Sequence, residues 1–544
     1  MQADENVYIR YARLAIYAGK TALGYSAPFI WAPLVTNHVF NEASRTLFVL
    51  IIIYVQLLLG TVHPGAASVM VFFYLPFLEL NRTGDLDLHY FSEFVFSSFG
   101  QLAYTGAFEH SGLARRIALC LMQAFASSTN MAIFGLMFCA MFVSMWIDNA
   151  TAALAVVPIV NDTFTAIQRN TCRRMNDASL RELVTSSGSG QDDVVISEEL
   201  EDELFKLERM RQTALIGVGF AATIGNFGYI SGHALNYYVI GMIEQDYKYV
   251  GVSAKTWFLF HFPLCLVQVI FIWSLLTYLK LGKQVESKQQ AFIDGDVRHS
   301  VKEQIRGLGP VTFHEKGVLL CFCGFIAAAN LPTLGSIGIQ MTMSTYWVAA
   351  TVMLFIVPAE SVSQCSKRLM TWPFLNGFMP WHTLFLIGTC LTLDIMFRVS
   401  GLNALAKAEV QEYVHIHVAL VQILITIFTS LVTELCHQST VIAIVTPYAA
   451  HLAVALQVHP IYFVLAVYHA GTMSFMYPGS SVCNEIVYAQ AKIKTADMAV
   501  PGLILKTTGL ILSLVAINTV GYYYFDMEVY PDPTEVTAAS TATF

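Results

Sequence analysis

Two stretches, SMWIDNATAALAVVP (residues 144–158) and TELCHQSTVIAIVTP (residues 433–447), decide the architecture, because each sets a polar cluster inside an apolar run. The clusters are Asp148-Asn149-Ala150-Thr151 and His437-Gln438-Ser439-Thr440, and in each a proline, Pro158 or Pro447, follows ten positions after the first residue. A second matched pair lies downstream. TIGNFGYISGHALN ends at Asn236 and MSFMYPGSSVCN ends at Asn484, both broken by glycine or proline within apolar surroundings. Non-helical backbone is tolerated at membrane depth only where it is buried in protein or lines a wet cavity. A single interruption reads equally well as a kink in a packed helix. Interruptions in corresponding places of two halves indicate an inverted repeat, with helix N-termini for an anionic substrate and free carbonyls for cations.

The rest of the chain agrees with a membrane setting. Of 544 residues, 56% are apolar and 12% charged, about half the charged share of an ordinary soluble protein and too few to cover a soluble surface. The net charge is −8, with no basic face for nucleic acid. No nucleotide-binding glycine loop, zinc motif or hydrolase triad occurs, so the sequence gives no support for an enzyme. The ten cysteines are scattered and read as small core side chains.

Outward from the hairpins, residues 1–24 read as a cytoplasmic N-terminus without a cleavable signal. First-repeat spans fill 25–161, with a re-entrant hairpin near 127–160. Residues 162–212 form a cytoplasmic polar loop, read as a flexible segment leading into an acidic helix. A broken helix and one further span occupy 213–280, and a second cytoplasmic linker covers 281–315. Second-repeat spans run over 316–524 with a hairpin near 413–456, and 525–544 form an extracellular tail. Bases gather before the first span, at Arg115-Arg116, in both polar loops, at Lys367-Arg368, and at Lys492 with Lys494, which places all of these inside. The fold class is an all-α polytopic membrane protein with about eleven transmembrane helices plus two re-entrant hairpins.

These motifs resemble the divalent-anion/sodium symporters, which include sodium-dicarboxylate and citrate cotransporters and the insect "I'm Not Dead Yet" transporters. SMWIDNATAALAVVPIV is similar to the family's SMWISNTATTAMMLPI, and TELCHQSTVIAIVTP to its TEFTSNVATTTIFLP. TIGNFGYISGHALN resembles its SIGGTATLTGTGPN, MSFMYPGSSVCNEIV its AFMLPVATPPNAIV, and MPWHTLFLIG from Met379 its VPWNILLLLG. The likeness is collinear over roughly residues 25–525. It implies an elevator-type homodimer in which the hairpin tips grip substrate carboxylates and sodium ions bind beside each tip. The chain departs from the family pattern at the tips themselves. Asp148 and Ala150 replace a serine and a threonine, His437-Gln438-Ser439 replaces Ser-Asn-Val, and Asn226-Phe227-Gly228-Tyr229 replaces a Gly-Thr-rich loop.

Candidate substrate contacts are therefore Asp148, Asn149, Thr151, Asn236, His437, Gln438, Ser439, Thr440 and Asn484. Weaker candidates for ion contacts are Ser144, Gly225, Asn226, Thr433 and Ser474. A charge at the membrane midplane costs about 2.5–3.5 kcal/mol on insertion scales and so faces a wet cavity or a partner. The equivalent places of Asp148 and His437 suggest an acid–base pair at one central site. Asp394 and Arg398 read as an i,i+4 helix-face pair. The expected function is secondary transport of small organic anions, di- or tricarboxylates such as succinate or citrate, with altered or lost sodium coupling. A non-transporting scaffold or sensor, or a transporter of another substrate, is the alternative. No organic cofactor or bound metal is expected, the coupling ion being Na+ or H+. The expected partners are the anion, the bilayer and a second copy, at the plasma membrane.

Overall fold

The computed structural model describes residues 18–36, 41–81, 90–185, 192–247, 252–278, 287–330, 342–360, 367–412 and 417–528. Among them the regular structure is helical, apart from one isolated bridge between Pro358 and Arg368. The helices used below are α1 (Asn41–Leu59), α2 (Pro64–Phe77), α3 (Glu93–Ser111), α4 (Leu113–Phe125), α5 (Thr129–Ser144), α6 (Asn149–Thr185), α7 (Asp192–Gly225), α8 (Ala234–Tyr247), α9 (Ala254–Leu276) and α10 (Ser287–Gly307). The second half supplies α11 (Phe313–Asn330), α12 (Met343–Ile356), α13 (Trp381–Val399), α14 (Leu402–Glu412), α15 (Val418–Leu435), α16 (Gln438–Ala455), α17 (Pro460–Thr472), α18 (Val482–Ala491) and α19 (Thr495–Ala516).

Seven described helices contain a window long and apolar enough to cross a bilayer, and four shorter apolar helices accompany them. Helix α15 shows the solvent it is built for. Leu420, Ile423, Leu424, Ile427, Phe428, Leu431 and Leu435 are exposed, whereas Gln422, Thr426, Thr429, Ser430 and Thr433 are buried. An apolar stripe turned outward over a polar stripe turned inward is the reverse of a soluble amphipathic helix. In hydrocarbon it is the stable arrangement, since lipid costs leucine nothing and polar groups find partners only inside.

The two halves fold alike around their interruptions. The hairpin α5–α6 turns through residues 145–148, and α15–α16 through Cys436 and His437. Helix α7 stops at Gly225 and the chain resumes as α8 at Ala234. Likewise α17 stops at Thr472 and resumes as α18 at Val482. The halves interlock: Tyr238 on α8 donates to the Ala443 carbonyl on α16 (3.1 Å), and Cys483 on α18 donates to the Gly219 carbonyl on α7 (3.5 Å).

One sequence expectation needs correction. In the polar stretch 162–212 the expected acidic helix forms as the start of α7, but what precedes it is helix as well, because α6 continues to Thr185, with residues 186–191 outside the described set. Helix α10, from the second polar linker, folds back onto this region. Asp294 accepts the Thr129 amide and hydroxyl (2.6 Å each) and so caps α5, while Asp296 pairs with Arg174 (2.6 Å). Arg115 pairs with Asp162 (2.8 Å) and Arg116 with Glu315 (2.7 Å). These polar segments therefore gather at one end of the bundle.

Candidate functional site

At the first tip the turn after α5 must satisfy the free N–H groups that begin α6. Asp148 does so itself: its carboxylate accepts the Ala150 amide (3.2 Å), while its own amide donates to the Thr105 hydroxyl of α3 (3.5 Å). Asn149 follows at 3% exposure with a side-chain Nδ2 that has no partner. Thr151 is buried on the same turn of helix. Ser144 donates its hydroxyl to the Ala222 carbonyl (2.6 Å) and so pins the hairpin to α7.

The broken stretch 226–233 lies against this turn, and two glycines permit the approach. A Cβ on Gly225 would stand 2.2 Å from the Met141 carbonyl oxygen. One on Gly232 would stand 2.4 Å from the Asn226 carbonyl oxygen and 2.9 Å from that of Ser144. The last two oxygens therefore converge on one spot. Asn226 is fully buried, and neither polar atom of its side chain has a partner. Converging carbonyl oxygens beside an unpartnered amide oxygen are what hard cations take as ligands. Among the described residues no group of three or more His, Cys, Asp or Glu could hold a metal ion.

Asn236 braces the break. Its Nδ2 donates to the carbonyls of Asn226 (3.2 Å) and Tyr229 (3.1 Å), and its Oδ1 accepts the Tyr468 hydroxyl of the other half (2.5 Å). Asn484 does the corresponding work in the second half, donating to the Ser474 carbonyl ten residues earlier (2.8 Å), but its Oδ1 is buried and unpartnered. At the second tip His437 caps α16, its Nδ1 accepting the Ser439 amide (3.4 Å). Gln438, Ser439 and Thr440 are buried behind it, and Gln438 accepts the Ser474 hydroxyl (3.4 Å). The Thr433 hydroxyl donates to the Thr429 carbonyl of its own helix (2.7 Å).

The acid–base pair expected between Asp148 and His437 is not formed as an ion pair. Both side chains cap their own helices. Equivalent places in the repeats carry equivalent backbone duties, which the identities Asp and His obscured. His233 accepts the Leu235 amide (3.2 Å), and His469 is buried against Phe227 and His261. The Asp394–Arg398 pair forms as expected on α13 and is joined by His451 (2.6 Å).

Sequence reasoning left two groups without a role. Glu434 accepts the amides of Phe475 (3.1 Å), Met476 (3.1 Å) and Tyr477 (3.2 Å), and Lys506 of α19 donates to it (2.7 Å). Their only signal was two opposite charges in separate apolar spans, with no local spacing to join them.

Comparison with known proteins agrees with this geometry. The family model for the sodium:sulfate symporter transmembrane region matches residues 28–526. The chain is similar to the Na(+)/dicarboxylate cotransporter 3 of Rattus norvegicus, 24% identical over 92% of this chain and 91% of the relative. It is also similar to the Na(+)/citrate cotransporter of Mus musculus, 22% identical over 94% and 96%, and to the protein I'm not dead yet of Drosophila melanogaster, 26% identical over 83% and 80%. With a match across nearly its whole length and paired helix breaks in both halves, the chain belongs to the sodium:sulfate symporter family of membrane transporters.

Proposed function

We propose that the protein is a secondary transporter of small organic anions, di- or tricarboxylates such as succinate or citrate, with altered or lost sodium coupling. The observation that carries this reading is Asn149. It is a buried amide with an unspent donor at the N-terminus of α6, where free backbone N–H groups and the helix dipole favour an anion. The buried Gln438-Ser439-Thr440 segment at the start of α16 supplies the opposing helix terminus. The relatives' activities, sodium cotransport of dicarboxylate and of citrate, support the same substrate class.

In this reading the Asp148 carboxylate, held by the Ala150 amide at the start of α6, opposes the anion at the first tip and favours a cation there. Asn236 shapes the site rather than touching substrate, because its donors are spent on carbonyls. The proposal includes eleven crossings, two re-entrant hairpins, an elevator motion, a homodimer, and a plasma-membrane orientation with the N-terminus inside and the tail outside.

Uptake of labelled succinate and citrate by expressing cells tests it. Expected is uptake above vector controls that falls about tenfold or more in Asn149→Ala, corresponding to loss of a 1.4 kcal/mol interaction. Surface-expressed protein that carries neither anion would overturn it in favour of a scaffold or sensor.

A further inference from the structure

Lys506 stands in the middle of α19, an apolar helix, and is 3% exposed. An ammonium there is held at a large cost in lost hydration and must be matched by close partners. It has two: Nζ donates to the Glu434 carboxylate (2.7 Å) and to the Ser430 carbonyl (2.7 Å). The two oxygens of Glu434 also accept the amides of Phe475, Met476 and Tyr477 in succession. That broken stretch in turn presents Ser474 to Gln438 at the tip of α16. A chain of bonds thus runs from the ammonium to the second tip. A carboxylate and a carbonyl oxygen converging on one positive centre are also the ligand types a hard monovalent cation takes.

The first half is built differently. The residue three positions before Asp148, matching Glu434 before His437, is Met145. Among the described residues no ion pair lies at the first tip. What lies there instead is the convergence of the Ser144 and Asn226 oxygens and the unpartnered Asn226 side chain. One half carries its positive charge on the chain, and the other offers oxygens without one.

We propose that the Lys506 ammonium is a tethered cation that takes the place of one coupling ion, holding the second broken stretch in shape through Glu434 and leaving the first half as the place that takes a monovalent cation from solution. The proposal rests on the transporter reading for the word coupling, but its test does not need transport.

The test is thermal melting of the purified full-length protein in sodium chloride and in choline chloride at equal ionic strength. The parent is expected to show a sodium-dependent rise that saturates as a single site. Lys506→Met should melt lower in choline and regain a larger part of its stability in sodium. Lys506→Arg should behave as the parent, and the double variant Lys506→Met/Glu434→Gln should lose the added sodium response. Should Lys506→Met not fold, Lys506→Ala refolded with methylammonium supplies the missing ammonium from solution, and recovery with methylammonium or sodium but not choline is expected. Equal losses of Lys506→Met in sodium and choline, or no recovery of Lys506→Ala by either cation, would overturn the tethered-cation assignment. Absence of uptake by a parent that still shows the melting pattern would count against the transporter reading alone.

Discussion

Asn236 and Asn484 occupy matching places, yet replacing them with alanine should have unequal costs. Asn236→Ala removes both donors that satisfy the Asn226 and Tyr229 carbonyls and the acceptor of the Tyr468 hydroxyl, all buried or nearly so. A buried polar group left without a partner costs about 1–3 kcal/mol, so three stranded groups, partly relieved by water, amount to roughly 3–5 kcal/mol. Asn484→Ala strands only the Ser474 carbonyl and also removes a side-chain oxygen that already lacks a partner. Its cost should be about 1 kcal/mol. Reversible unfolding in mixed micelles, followed by tryptophan fluorescence, measures both. A cycle with Tyr468→Phe should give a coupling to Asn236 of about 0.5–3 kcal/mol, the range for groups in one hydrogen-bond network. Equal losses for the two asparagines within about 0.5 kcal/mol, or no coupling to Tyr468, would refute the bracing role derived for Asn236.

Other consequences follow from single contacts. Gly225→Ala forces a methyl onto the Met141 carbonyl and should cost at least the roughly 1–3 kcal/mol of overpacking, whereas Gly324→Ala, in open space on α11, should be neutral or stabilise by up to about 1 kcal/mol; melting temperatures of the pair decide this. Asp148→Asn keeps an α6 cap but removes the tip's negative charge, so succinate should bind roughly tenfold tighter while sodium activation weakens; a loss of succinate affinity would show that the carboxylate does not oppose the anion. On the polar part of α7, the Arg211 hydrogen bond holds the Glu208 carboxyl below its ordinary value of 4.5. A depressed acid stabilises above its unfolded pKa and loses that contribution as pH falls through the folded value. Glu208→Gln should therefore destabilise the parent at pH 7 and make little difference near pH 3, as read by melting at the two pH values.

The hairpins and breaks were legible because polar residues and prolines recur at matched offsets in apolar runs, and such interruptions have few other uses at membrane depth. The glycines of TIGNFGYISGHALN were legible for the same reason, and two of them prove to be points of backbone contact. The roles of Asp148 and His437 were not. Their charges suggested attraction across the site, but each helix start has amides to satisfy, and the nearest side chain does that first. The length of α6 was hidden because its polar end reads as loop, and α10, which caps and pairs with α5 and α6, lies more than a hundred residues away in sequence. The Glu434–Lys506 pair was hidden by separation of another kind. Opposite charges on α15 and α19 meet only across three intervening helices.

The most direct test of the account is uptake of labelled succinate and citrate into proteoliposomes containing the purified protein, with an inward sodium gradient and with choline in its place. Expected is saturable uptake of at least one of these anions, reduced about tenfold or more in Asn149→Ala and dependent on a single sodium ion. Uptake of neither anion under any cation gradient, by protein that melts cooperatively, would contradict it.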